Sequence, residues 1–279
     1  QKTGLFFAPD PATVAQASIG GCIGNNAAGS RSIIYGRTSE NIAALEVVLT
    51  SGKRARLAPG AGRTDAVALE LARGVAAICR NHAALIRERF PKTIRRNAGY
   101  GLDLIVKQLD AGIAEEDLDL TGLICGSEGT LAAVTAATLK LHPVCPFKAL
   151  AVCSYATVEA AMDAVNPILT TRPSAVELLD DVVLGAAMGN NECRHYVELL
   201  PKVGGTIPGA VLYVEYQSPS SMAEVDAAVA ALDAVKGDAS VKTYRDTPAM
   251  LNAWALRKAG EPLLHGIGGH RKPHTFVED

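Results

Sequence analysis

Residues 20–36 read GGCIGNNAAGSRSIIYG, with glycines at 20, 21, 24, 29 and 36 around the pair Asn25 and Asn26. So few side chains crowd this backbone that a flat or charged ligand can lie directly on its amides. A cofactor phosphate suits such a surface. A plain structural loop suits it as well, because the dinucleotide fingerprint G-x-G-x-x-G is absent and these glycines precede a strand instead of following one. A second short motif, GSEGT at residues 126–130, has the look of any strand-ending turn. A third stretch, WALRKAGEPLLHGIGGHRKPHTFVED at residues 254–279, carries Arg257, Lys258 and Lys272. Cations near a surface are solvated by default. Where they do bind, a guanidinium grips a carboxylate through its planar fork and an ammonium adds a point charge.

The remaining reactive residue types point nowhere as sharply. The run ELLDD at residues 177–181 suggests a metal or an acid pair, but reads better as a strand–helix junction. His265, His270 and His274 fall in a glycine-rich loop without the spacing of a helical ligand pair, and no metal site is expected. Six widely spaced cysteines form no C-x-x-C pair and no zinc or iron–sulfur pattern, which fits buried thiols in a reducing compartment.

With 279 residues and 48% hydrophobic content, the chain can build one large core or two smaller ones. A net charge of −2, with Lys and Arg scattered, leaves no electrostatic footprint for nucleic acid. Neither a signal peptide nor an apolar run of membrane-spanning length is present, so the expected location is cytoplasmic or peripheral at the inner membrane. The opening QKTG lacks an initiator methionine and the ending FVED lacks a helix stop. The chain therefore reads as a piece of a longer protein.

Positioning elements follow from periodicity. Residues 43–49 form a strand, Gly52 turns it, and residues 54–57 return as a hairpin. Apolar spacing over residues 66–89 predicts helices interrupted near Gly74 or His82, and residues 100–110 predict another. Residues 118–125 read as a strand ending in the 126–129 turn, followed by a strand over 133–141. Pro143 and Pro146 mark a boundary. Beyond it, strands are expected at 148–155, 175–179 and 210–216, with helices at 158–169 and 221–234. This β-α-β-β-α order suits a ferredoxin-like α+β unit whose antiparallel sheet is covered on one face.

The first motif runs on into LEVVLTSG at residues 45–52. Together they resemble the FAD-binding segment of the vanillyl-alcohol-oxidase/PCMH flavoprotein superfamily, in its D-lactate, glycolate and D-2-hydroxyglutarate dehydrogenase branch. There GG-x-x-x-x-N-x-x-G-x-R-x-x-x-Y-G precedes a similar strand. The GSEGT turn matches a second contact of that superfamily, with Ala132 where the last glycine of the pattern usually stands. The resemblance implies an α+β fold: the C-terminal part of a PCMH-type FAD-binding domain over residues 1–146, then a ferredoxin-like substrate or cap domain with an antiparallel sheet over 147–279. It implies FAD held by Pro9, Asp10, Gly20, Gly21, Gly24, Asn25, Asn26, Gly29, Tyr35 and Gly36, with Gly126, Ser127, Glu128, Gly129 and Thr130 as the second contact. Arg257 and Lys272 correspond to residues that hold the substrate carboxylate.

The implied activity is hydride transfer from a D-2-hydroxy acid, of the lactate, glycolate or 2-hydroxyglutarate class, to the flavin, giving the 2-oxo acid. The electron acceptor is open among an iron–sulfur module, a quinone and a cytochrome. Such flavoproteins carry an upstream glycine loop for the pyrophosphate and a downstream G-D-G-N segment with a histidine, and neither motif occurs in this sequence. The 279 residues alone are thus expected to bind FAD poorly and to turn nothing over, and a stoichiometric flavin absorbance after their purification contradicts this. The alternative is a noncatalytic, FAD-domain-like subunit for assembly or electron transfer.

Overall fold

In the computed structural model, which describes residues 3–93, 96, 97 and 99–266, the chain divides into two units between His142 and Pro143.

The first unit begins with β1 (Leu5–Phe6), α1 (Ile19–Asn25) and α2 (Ser32–Tyr35). Alternation then takes over in β2 (Ile42–Leu49), where Leu45 and Val47 are buried and Glu46 faces solvent. The hairpin partner β3 (Arg54–Leu57) sets Leu57 opposite Leu45. Next come α3 (Ala66–Asn81), α4 (Ala83–Arg89), α5 (Leu102–Asp110), α6 (Thr121–Ile124), β4 (Ala132–Leu139) and β5 (His142–Pro143). An antiparallel sheet in the order β3-β2-β4 results, while β1 pairs with β5. The buried face of α3 is Ala68, Ala72, Ala76 and Cys79, a ridge of small side chains at helical spacing. That ridge shares one core with Leu45, Val47, Ala55 and Leu57.

Asp65 starts α3. Its carboxylate accepts from the N–H groups of Val67 and Ala68 at 2.9 and 3.0 Å, and from that of Arg56 at 3.0 Å. Burial raises its pKa, but the three backbone bonds outweigh burial and hold it below the ordinary carboxylate value. Asp65→Ala is expected to cost about 1–2 kcal/mol at neutral pH. Because the folded pKa is lowered, this contribution is complete above the unfolded value near ~3.9 and is lost as pH falls through the folded one. Urea unfolding of parent and variant should therefore differ at neutral pH and converge in acid.

The first unit departs from the sequence expectation in two places. Residues 20–36 are not a loop throughout, because Ser18 caps α1 and the buried Cys22 and Ile23 anchor it. The predicted strand at 118–125 is instead the single turn α6: the Asp119 carboxylate accepts from the N–H and hydroxyl of Thr121 at 2.9 and 2.6 Å and winds the chain locally. Of the two expected positions for the helical break, the chain uses His82, and Gly74 lies inside α3.

The second unit consists of β6 (Phe147–Tyr155), α7 (Val158–Leu169), β7 (Ala175–Leu179), α8 (Asp181–Gly189), α9 (Arg194–Glu198), β8 (Ala210–Ser218), α10 (Met222–Asp233), β9 (Ser240–Tyr244) and α11 (Thr247–Gly266). Its sheet is antiparallel, in the ferredoxin-like order β7-β8-β6-β9. Both faces are covered, where the sequence suggested one. Ala149, Ala151, Cys153 and Tyr155 of β6 pack with Ala161 and Ile168 of α7 and Val225 and Leu232 of α10. Leu150 and Val152, on the opposite face, pack with Val183 and Leu184 of α8 and Trp254 of α11. The reason is written in β6 itself, a near-continuous apolar run without polar alternation. The β-α-β-β-α reading also lacked α8, α9, β9 and α11. Among the described residues no helix is long and apolar enough to cross a membrane.

Candidate functional site

The first motif folds from its caps inward. The Ser18 hydroxyl accepts from the N–H of Gly21 at 3.0 Å, while Gly20, Gly21 and Asn25 stay exposed. At the other end Asn26 adopts a left-handed conformation, φ 54° and ψ 45°, that stops α1. Its side chain is buried and accepts from the N–H of Ser39 at 2.9 Å. The hydroxyl and N–H of Thr38 both reach the Ala27 carbonyl, at 2.7 and 2.9 Å. Asn26 therefore fixes the backbone from within.

The second motif lies directly on the first. The N–H of Gly126 donates to the Ile23 carbonyl at 2.9 Å, and the N–H of Glu128 to that of Gly24 at 3.0 Å. Two stretches about a hundred residues apart in sequence thus share one hydrogen-bonded seam. Gly126, Glu128 and Gly129 all have positive φ, at 84°, 50° and 77°. At Gly126 an added Cβ would stand 3.3 Å from the Asn26 Cβ and from the Asn97 carbonyl oxygen, so the glycine permits this contact. Glu128, Gly129 and Thr130 are exposed, whereas Ser127 is buried. Cys125, just before the turn, is a packing residue: burial, reinforced by Asp119 and Glu40, pushes its thiol up to about 12.

The proline-flanked Asp10 joins the same assembly. A Cβ on Gly29 would lie 2.2 Å from both the Asp10 carbonyl oxygen and Oδ1, so only glycine lets the two backbones approach. Asp10 is also salt-bridged to Arg31, with Oδ2 2.6 Å from Nη1. Pro9 beside it is buried. Tyr35 packs its ring edge-on against Phe6 and His142, with centroids 5.5 and 4.9 Å away. Gly36, at φ 73°, would set a Cβ 2.9 Å from Oε2 of Glu40.

These residues fit a flavin dinucleotide through backbone and not through charged side chains. No atom stands within 4 Å of where a Cβ on Gly20 or Gly129 would be, so those two surfaces are open to a planar or phosphate-bearing group. The first amides of α1 have no carbonyl within the helix to bond. Asn26 and Tyr35, which the sequence reading placed on the cofactor, also contact the protein, through the Asn26 side-chain oxygen and the Tyr35 ring.

In the second unit Arg257 projects from α11 to Glu177 on β7. Its Nε and Nη2 both donate to Oε2 of that carboxylate, at 2.9 and 2.5 Å. The ELLDD run divides its labour: Glu177 holds Arg257, and Asp180 caps α8 by accepting from the N–H of Val183 at 2.9 Å. Among the described residues no group of His, Cys, Asp and Glu could hold a metal ion. Lys272, His270 and His274 lie outside the described residues, and α11 carries the backbone of His265, which the sequence had in a loop.

Tyr100, and the partners that Arg31 and Glu177 find, escaped the sequence reading. The Tyr100 hydroxyl is 2.9 Å from the Thr130 hydroxyl, which places it beside the 126–130 turn; the Gly99-Tyr100-Gly101 triplet is the local sign that could have drawn notice. Arg31 and Glu177 act through long-range ion pairs, which leave no local signature.

Two family matches flank the chain: one described as FAD binding domain over residues 1–58, and one described as FAD linked oxidases, C-terminal domain, over residues 146–279. A D-2-hydroxyglutarate dehydrogenase of Pseudomonas putida is 30% identical across 99% of this chain, which spans 28% of that protein. Glycolate oxidase subunit GlcD of Bacillus subtilis is 30% identical across 100% of the chain, which spans 47% of it. D-lactate dehydrogenase [cytochrome] 1, mitochondrial, of Saccharomyces cerevisiae is 27% identical, with 91% of this chain and 34% of the yeast protein covered. The chain thus spans less than half the length of these curated relatives. In fold it is similar to an alkyldihydroxyacetonephosphate synthase, at TM-score 0.56 and 16% identity, with 95% of this chain and 40% of that one covered.

Proposed function

This chain belongs to the FAD-linked oxidases, and on that premise we propose that it forms part of an enzyme that oxidises a D-2-hydroxy acid to the 2-oxo acid. Its family uses FAD. When bound, that cofactor supplies the acceptor for the hydride leaving the substrate α-carbon. The observation that carries the reading is the seam between Gly126 and Ile23 and between Glu128 and Gly24, which merges two glycine motifs into one open backbone surface.

On this reading Gly20, Gly21, Gly24 and Asn25 of α1, with Glu128, Gly129 and Thr130, touch the cofactor. Asn26, Gly29, Gly126 and Ser127 shape the backbone beneath it, Pro9 and Asp10 brace it through Arg31, and Tyr35 and Gly36 secure the segment that follows. Arg257 holds the substrate carboxylate, in line with relatives named for D-2-hydroxyglutarate, glycolate and D-lactate. Nε and Nη2 face Glu177, and Nη1 is left for an anion. Lys272 serves as a second cation for the same carboxylate, a role that rests on sequence resemblance alone. The domain roles are likewise proposed: cofactor binding for residues 1–146 and substrate binding for 147–279.

The test is dye-linked oxidation by the longest natural polypeptide that carries this sequence, offered D-2-hydroxyglutarate, D-lactate and glycolate. Turnover of at least one, with the L enantiomer inert where one exists, is the expected result. A stoichiometric flavin that none of them reduces would favour the noncatalytic subunit instead.

A further inference from the structure

The second unit contains a cavity of about 210 Å³ between β6, β8, β9 and the helices α9 and α11. Its walls differ in kind. Val152, Leu199 and Leu200 make one part apolar, while Tyr213, Lys242 and Asn252 bring polar groups to the rest. Empty apolar space of this size forfeits dispersion contacts, and a polar one fills with water or a ligand.

Two of the polar groups are unmatched. The Tyr213 side chain is fully buried and its hydroxyl has no hydrogen-bond partner among the described residues. Burial also raises its pKa, which keeps it a donor at neutral pH. Lys242 stands at the exposed rim with Nζ 5.1 Å from the centre of the Tyr244 ring, and among the described residues no carboxylate pairs with it. Nearby cations are treated otherwise: Arg245 pairs with Asp226, and Arg257 with Glu177. A cation over an aromatic face, a buried donor and an apolar wall together describe a host for an organic anion with a hydrophobic body.

The geometry points to a binding site here for a small aryl or branched-alkyl carboxylate, its acid group at Lys242 and Asn252 and its body against Leu199 and Leu200. The Arg257–Glu177 pair does not line this cavity but borders it, since Glu177 stands opposite Tyr213 across β7 and β8. An occupant would match Tyr213 without disturbing the sheet, because β6 and β8 already form its floor.

Trp254 makes the site readable. It is the single tryptophan of the chain, and its ring centroid lies 5.5 Å from that of Tyr213. Benzoate, titrated into the 279-residue chain, is expected to change Trp254 emission saturably, and benzyl alcohol to bind more weakly. Lys242→Gln, an exposed substitution without consequence for the core, should weaken benzoate about fivefold and leave benzyl alcohol unchanged. Tyr213→Phe should weaken benzoate while preserving the fold by circular dichroism. The proposal is overturned if benzoate gives no saturable change, or if Lys242→Gln binds benzoate as the parent does.

Discussion

Arg257→Gln, made in the longest natural polypeptide that carries this sequence, is expected to lower kcat/KM for its D-2-hydroxy acid about 10²–10³-fold. A charge-assisted bond to a carboxylate contributes more than a neutral one, and its loss leaves the substrate anion desolvated without a partner. The change also strips Glu177 of the guanidinium that its Oε2 accepts from twice. Glu177→Gln separates the two effects: it loosens the hold on Arg257 but keeps the cation, so its kinetic loss should be much smaller. Steady-state rates with the acid and with its amide decide the matter. If Arg257→Gln oxidises the acid as well as the parent does, Arg257 is a structural ion-pair residue and the carboxylate assignment falls.

Substitution of two glycines should have opposite consequences, although both lie in the same motif. Gly29→Ala forces a Cβ to within 2.2 Å of the Asp10 carbonyl oxygen, a backbone clash that no rotamer relieves. It should destabilise the first unit by about 3 kcal/mol and release the Asp10–Arg31 brace. Gly20→Ala meets no atom within 4 Å and improves helix propensity, so stability should hold or rise by up to ~1 kcal/mol. Its new methyl nevertheless stands on the surface assigned to the cofactor. The expected pattern is lost stability for Gly29→Ala, and a well-folded protein with weakened flavin retention for Gly20→Ala. Urea unfolding and flavin absorbance after gel filtration distinguish them. Full flavin retention in Gly20→Ala would move the cofactor away from α1.

Much of the fold was legible where one periodicity governs a segment. The helix at Val158–Leu169 follows from apolar spacing behind Thr157, whose hydroxyl caps it, and the hairpin from alternation around Gly52. Legibility failed where tertiary context decides. α8 is apolar on most sides, so no amphipathic stripe announces it. β9 is five residues at the sheet edge. At Thr121 a side-chain turn from Asp119 overrode a strand-like sequence. The candidate site was readable as two glycine spacings, but their seam was not, because it is made of main-chain bonds that any residue can form. Ion pairs such as Asp10–Arg31 and Glu177–Arg257 join residues 21 and 80 positions apart, beyond the reach of any local pattern.

Hydrogen exchange tests most directly whether α1 and the 126–130 turn carry the cofactor. The measurement compares the longest natural polypeptide that carries this sequence with its flavin bound and after the flavin has been removed. Amides of residues 19–21 and 128–130 should exchange markedly more slowly with flavin bound, while those of β2 should change little. Equal exchange at both stretches in the two states would contradict the account.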